Sequence, residues 1–243
     1  MINFLANPLR FKRFANVAAP IFGWSALILI CSGFWYALYI IPEDVNQHDS
    51  VRIMFVHVPA VWTGMAAYAG MAVASLIAYI WRHPLSDELA KSLALPGAAF
   101  TAIGLLTGAL WGKTSWGTYW QWDGRMTSTL ILLFLFIGYM AVWSGIEDKH
   151  RAARIAGLVA MVGSINLIII KKSVDWWNSL HQSASFTEKG TMATDMRILL
   201  IVLSLGYSFF LGWLVLSRML NKIASAKTRR KRPAAATTSM ERL

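Results

Sequence analysis

Apolar positions gather into six long stretches, and charged positions are confined to the intervals between them. The stretches cover residues 21–41, 58–81, 93–111, 128–146, 153–170 and 198–217. Each is close to the ~20 residues an α-helix needs to cross about 30 Å of hydrocarbon. Apart from Arg154 near the start of the fifth, none contains Asp, Glu, Lys or Arg. In lipid the backbone N–H and C=O groups must be satisfied within the spanning segment, which selects helices. The pattern therefore predicts an all-α integral membrane bundle of six transmembrane helices over residues 21–217. A short segment, 1–20, precedes it and a tail, 218–243, follows. No internal repeat and no soluble domain is evident.

The basic residues fix the expected orientation. Sorted by alternating sides of the membrane, sixteen of the 23 Lys and Arg fall with the two termini and the connections 82–92 and 147–154. Seven fall on the other side: Arg52, Lys113, Arg125, Lys171, Lys172, Lys189 and Arg197. The positive-inside rule then places both termini in the cytoplasm. Residues 3–14 are basic and partly amphipathic and are expected to lie along the inner surface. The tail is basic, then rich in Ala and Thr, and is expected to be disordered. The first stretch is too long for the apolar region of a cleavable signal peptide, and no A-x-A site follows it.

Composition agrees. Hydrophobic residues make up 56% of the chain and charged residues 14%, with a mean hydropathy of +0.49, against about 25% charged in a soluble domain. The net charge of +11 follows from topology and points to anionic lipid rather than nucleic acid. The single cysteine, Cys31, permits no internal disulfide, and no C-x-x-C-H heme-attachment sequence is present.

The informative polar segments are the three on the outer side, 42–57, 112–127 and 171–197. Four tryptophans and a tyrosine (Trp111, Trp116, Tyr119, Trp120 and Trp122) crowd the middle one and its edge. An interfacial aromatic belt is one reading, since Trp favours the headgroup level. A belt places Trp at helix ends, as with Trp24, Trp81, Trp143 and Trp213, but does not ask for four in one connection. The other reading is a flat aromatic platform for a large planar apolar ligand, with Gly112, Gly117 and Gly124 letting the backbone approach it.

Two histidines flank this loop. His57 ends the first outer segment, and His181 lies in the third, after Trp176 and Trp177. If that region is helical, Trp177 and His181 share a face. A lone histidine at a helix end is ordinarily a capping or interfacial residue. Two at one membrane level offer neutral imidazoles able to bind heme iron from opposite sides. Lys113, Arg125, Lys171, Lys172 and Arg52 are the cations available to the propionates, with Arg125 best suited to a bidentate contact. Asp123 is suited to orient a histidine or to fold the loop. His83 and His150 sit among inner charges, and His48 reads as a polar loop residue.

The tract WGKTSWGTYWQWDGRMTS from Trp111 closely resembles the WWD signature of heme-handling membrane proteins. HVPAVW from His57 and VDWWNSLHQSAS from Val174 resemble one branch of that group, the heme exporter protein C (CcmC) family of cytochrome c maturation. The resemblance covers roughly residues 20–220. Tyr119 stands where the family often has Trp, and Thr114 where it often has Pro. The resemblance implies that His57 and His181 are axial ligands of heme b, held as transient cargo on the periplasmic side of a bacterial inner membrane. It further implies a heme-contacting and docking surface of Trp111, Trp116, Tyr119, Trp120, Trp122, Asp123, Arg125, Trp176 and Trp177. The implied partners are the periplasmic heme chaperone CcmE, an ABC-type ATPase subunit CcmA, a membrane subunit CcmB and the small single-span CcmD.

Other classes fit less well. A secondary transporter usually carries intramembrane acids or bases for coupling. A respiratory cytochrome b subunit needs histidines deep inside its helices. An ABC-type permease or other small-molecule transporter explains six spans but not the outer motifs. No P-loop, nucleophile–base pair or catalytic carboxylate pair is present, so an enzyme is not expected.

Overall fold

Helix starts and stops are written locally. Asn7 accepts from the Leu9 N–H at 2.9 Å, and Pro8 occupies the first helical position. Asp123 and Asp148 cap later helices in the same way, and Gly117 closes one in the left-handed conformation at φ 78°. The computed structural model describes residues 7–177, 181 and 192–231. In chain order the helices are α1 (Pro8–Tyr39), a short 3-10 helix (Asp49–Ile53), α2 (Met54–Trp81), α3 (Pro84–Trp116), α4 (Gly124–Gly145), α5 (Lys149–Gly163), α6 (Ile165–Trp176) and α7 (Thr194–Lys231). No strand occurs among the described residues. Among the described residues six spans are long and apolar enough to cross a membrane, with α5 and α6 together forming the fifth.

The bundle packs through small residues. α2 lies along α3, α1 lies along α7, and α4 links α3 to α5 and α6. Ala67, Ala94, Ala98, Ala156 and Ala160 are buried where helices meet, around Tyr68, Met71, Leu132 and Phe136. Close approach over small side chains replaces the hydrophobic effect as the source of cohesion between helices in lipid. Large apolar residues such as Ile28, Leu106 and Val162 face outward, as a hydrocarbon solvent requires. Two interior side chains tie helices together: Asn166 donates to the Ser128 carbonyl at 2.8 Å, and the Tyr68 hydroxyl donates to the Val159 carbonyl at 3.1 Å. That hydroxyl inserts beside Gly163, one residue before the α5–α6 break at Ser164. A side chain entering the helical ladder is a recognised cause of such a break.

The helices run further than the apolar stretches alone suggest. α2 begins at Met54, so His57 sits in its first turn, and α3 continues to Trp116. Residues 171–176 complete α6 and 194–197 open α7. The outer connections are therefore shorter than the expected 42–57, 112–127 and 171–197. Lys, Ser, Thr and Trp are compatible with helix, and a helix longer than the hydrocarbon can project past it. At the N-terminus, the part of 3–14 that is described forms the first turns of α1. Phe11 and Ala15 are buried in the cluster that holds Val215 and Met219, while the other described residues of that segment are exposed. At the other end α7 continues through 218–231, so this part of the expected disordered tail is helical. Residues 232–243 lie outside the described residues.

Candidate functional site

The first half of the site is made where α2 crosses α3. His57 donates its Nδ1–H to the Gly104 carbonyl at 2.9 Å, and Thr107 Oγ1 lies 3.3 Å from the same nitrogen. Two glycines one turn apart make room. A Cβ at Gly104 would stand 2.7 Å from Val61 Cγ2, and one at Gly108 would stand 2.8 Å from His57 Cε1. Both are shorter than ordinary carbon contacts, so α3 presents a bare shelf beneath the imidazole. One turn further, Trp111 meets the His57 ring edge-on, with centroids 5.8 Å apart at 68°. Its Nε1–H donates to Gln47 Oε1 at 2.8 Å, tying the first outer connection to the third helix.

The second half is made at the start of α4. Asp123 is buried and uses its two oxygens separately. Oδ1 accepts from the Met126 N–H at 2.7 Å, capping α4, and Oδ2 accepts from His181 Nδ1 at 2.6 Å. Trp116 stands edge-on to His181, with ring centroids 4.7 Å apart at 69°. Burial pushes the His181 pKa below its ordinary value of 6.5, while the Asp123 carboxylate opposes that shift and Arg125 adds to it. The imidazole is therefore neutral at neutral pH. A carboxylate and a peptide carbonyl can only accept, so each histidine carries a proton on Nδ1, and in the neutral ring the lone pair is on Nε2.

His57, His181 and Arg125 lie within electrostatic range of one another. Arg125 also lies in the field of Asp123 and Asp175. The other expected cations have local partners: Lys113 donates to the Gly117 carbonyl at 2.9 Å, Lys172 pairs with Asp175 at 3.0 Å, and Arg52 pairs with Asp49 at 2.9 Å. Lys171 is exposed in the middle of α6.

The other expected tryptophans pair with one another. Trp120 and Trp122 pack edge to face at 5.3 Å, and Trp176 and Trp177 meet at 6.2 Å. Trp122 and Tyr119 are 75% and 58% exposed, and Trp176 and Trp177 are exposed as well. All four are exposed rather than lining a buried pocket. Trp177 packs over Gly124, where a Cβ would stand 3.0 Å from its ring. The expected helical face shared by Trp177 and His181 does not form, because α6 ends at Trp176 and Trp177 is extended. Residues 178–180 lie outside the described residues.

Sequence reasoning did not find Gly104, Thr107, Gly108 or Gln47. The glycines at 104, 108 and 112, spaced by four, are the signal that was available. Such spacing marks one helix face that a neighbour approaches closely.

The whole-family model for heme exporter protein C, CcmC, matches residues 1–234. Heme exporter protein C of Bradyrhizobium diazoefficiens is 44% identical over 227 residues, covering 93% of this chain and 86% of the relative. The protein of the same name from Haemophilus influenzae is 39% identical, over 88% of this chain and 87% of its own length. That of Escherichia coli K12 is 37% identical, over 93% and 92%. With a family model spanning nearly its whole length and relatives matched over most of both chains, the chain belongs to the heme exporter protein C family.

Proposed function

We propose that this protein binds heme at the outer, periplasmic face of the bacterial inner membrane and presents it to the periplasmic chaperone CcmE during cytochrome c maturation. The observation that carries this reading is the pairing of two neutral histidines from different parts of the chain, each with its lone pair on Nε2 and a tryptophan edge against its ring. Neutral imidazole whose other nitrogen is hydrogen-bonded to an acceptor is the usual form of an iron-ligating histidine. Relatives that share most of the chain carry the name heme exporter protein C.

In this reading His57 and His181 are the axial ligands, Trp111 and Trp116 fix their ring planes, and Arg125 meets a propionate. Heme b is cargo rather than a resident group. The exposed Tyr119, Trp122, Trp176 and Trp177, with Trp120 behind them, form the face on which the chaperone docks. The chain performs no catalysis of its own. It holds the macrocycle while covalent chemistry takes place on the partner, and ATP hydrolysis belongs to CcmA, acting with CcmB and CcmD.

The test is an absorption spectrum of the protein purified from membranes of heme-replete cells, beside its His57→Ala and His181→Ala variants. The reading expects a b-type spectrum in the parent that is lost or altered in both variants. A parent without heme, or two variants with the parental spectrum, overturns it.

A further inference from the structure

The two histidines lean on unequal partners. His181 gives its Nδ1 proton to a carboxylate, Asp123 Oδ2 at 2.6 Å, whereas His57 gives its proton to a peptide carbonyl, Gly104 O at 2.9 Å. The carboxylate side chain is 3% exposed and the imidazole 18%, so water screens this pair little. A full negative charge beside Nδ1 makes Nε2 a stronger electron donor than a neutral carbonyl does. The carboxylate cannot swing away, because its other oxygen is committed to the Met126 N–H. Trp116 confines the imidazole further.

We propose that Asp123 is a positioning residue that makes His181 the anchoring ligand of the cargo iron and leaves His57 as the ligand that exchanges first. This inference rests on the heme-binding reading above. Two equally strong ligands would hold cargo that has to be given up. With one anchored and one exchangeable, the iron stays held while the position opposite His181 becomes available to the recipient. The charge of Asp123 also favours the ferric over the ferrous state.

Asp123→Asn separates the two duties of this side chain. Asn caps a helix about as well as Asp, so α4 keeps its start. With Oδ1 on Met126, however, the amide Nδ2 donor faces His181. The imidazole must then accept at Nδ1 and carry its proton on Nε2, the atom needed for iron. Hemin titration and spectroelectrochemistry would compare the full-length protein with D123N, and with Asp175→Asn as a control. The control removes a carboxylate from the field of Arg125 without touching His181.

The expected result is hemin binding about 10–100-fold weaker in D123N, with a raised reduction potential, and neither change in D175N. His57→Ala should retain five-coordinate heme where His181→Ala loses it. Parental affinity and potential in D123N overturn the inference while leaving bis-histidine ligation standing, provided both histidine variants alter the spectrum. Retention by H181A with loss from H57A overturns it as well. If neither histidine variant alters the spectrum, the heme-binding reading falls and takes this inference with it. Should D123N fail to fold, the order of retention between H57A and H181A decides alone.

Discussion

The His57 end and the His181 end of the site are built by opposite means. His57 is placed by what is absent: glycines at 104 and 108 let α3 press against α2, and the imidazole rests where a side chain would have been. Its hydrogen bond goes to backbone, which no substitution at that position can delete. His181 lies beyond the end of α6 and is placed by one buried side chain, Asp123, that also starts α4. A ligand inside a helix pair is positioned by close packing and is sensitive to added volume. A ligand outside the helices depends on a single polar group and is sensitive to a change of charge or acceptor. The two ends should therefore fail under different substitutions.

Gly108→Val breaks the His57 end most severely. The first added carbon already meets Cε1 at 2.8 Å, and two more methyl groups leave the ring nowhere to stay. Overpacking of this kind costs about 1–3 kcal/mol of stability. Heme affinity is expected to fall on the order of 10–100-fold, as for loss of a group that positions a ligand. Hemin titration of the detergent-solubilised variant checks this. The spectrum of the heme that remains should match that of His57→Ala, not His181→Ala.

Trp116→Ala and Trp122→Ala sharpen the comparison between the centre and its rim. Trp116 touches His181, so its loss should weaken heme binding several-fold and perturb the absorption bands. Trp122 is 75% exposed, so its loss should fall mainly on capture of the chaperone. Pull-down of CcmE beside hemin titration tells the two apart. Equal effects of both variants on both readouts would erase the distinction between centre and rim.

Thr107→Val has the smallest expected effect. The hydroxyl is 3.3 Å from His57 Nδ1, but the Gly104 carbonyl already accepts that proton at 2.9 Å. Loss of a secondary contact should cost about 0.5 kcal/mol, or roughly two- to threefold in affinity. A tenfold loss in hemin titration would mean that Thr107, rather than the carbonyl, holds the ring.

Much of this arrangement was legible in the sequence. The six spans follow from apolar length, and the two histidines, Asp123 and the tryptophans stand out because polar and aromatic residues are concentrated in few places. What remained hidden depends on contacts between distant segments. Nothing in residues 54–60 shows that His57 will meet Gly104, and nothing near Gln47 announces a bond to Trp111. The interruption at Ser164 is hidden for the same reason, since the Tyr68 hydroxyl that reaches Val159 comes from another helix. Helix ends were underestimated because hydropathy marks where the hydrocarbon stops, not where the helix does. α3 carries Lys113, Thr114 and Ser115 to Trp116 without a break.

Electron paramagnetic resonance of the ferric protein tests the central claim most directly, because it reads the iron's ligands rather than the presence of heme. The account predicts a low-spin, bis-imidazole signal in the parent. It predicts high-spin signals from whatever heme His57→Ala and His181→Ala retain, with low spin restored by added imidazole. A high-spin parent, or a low-spin signal that persists unchanged in both variants, would contradict it.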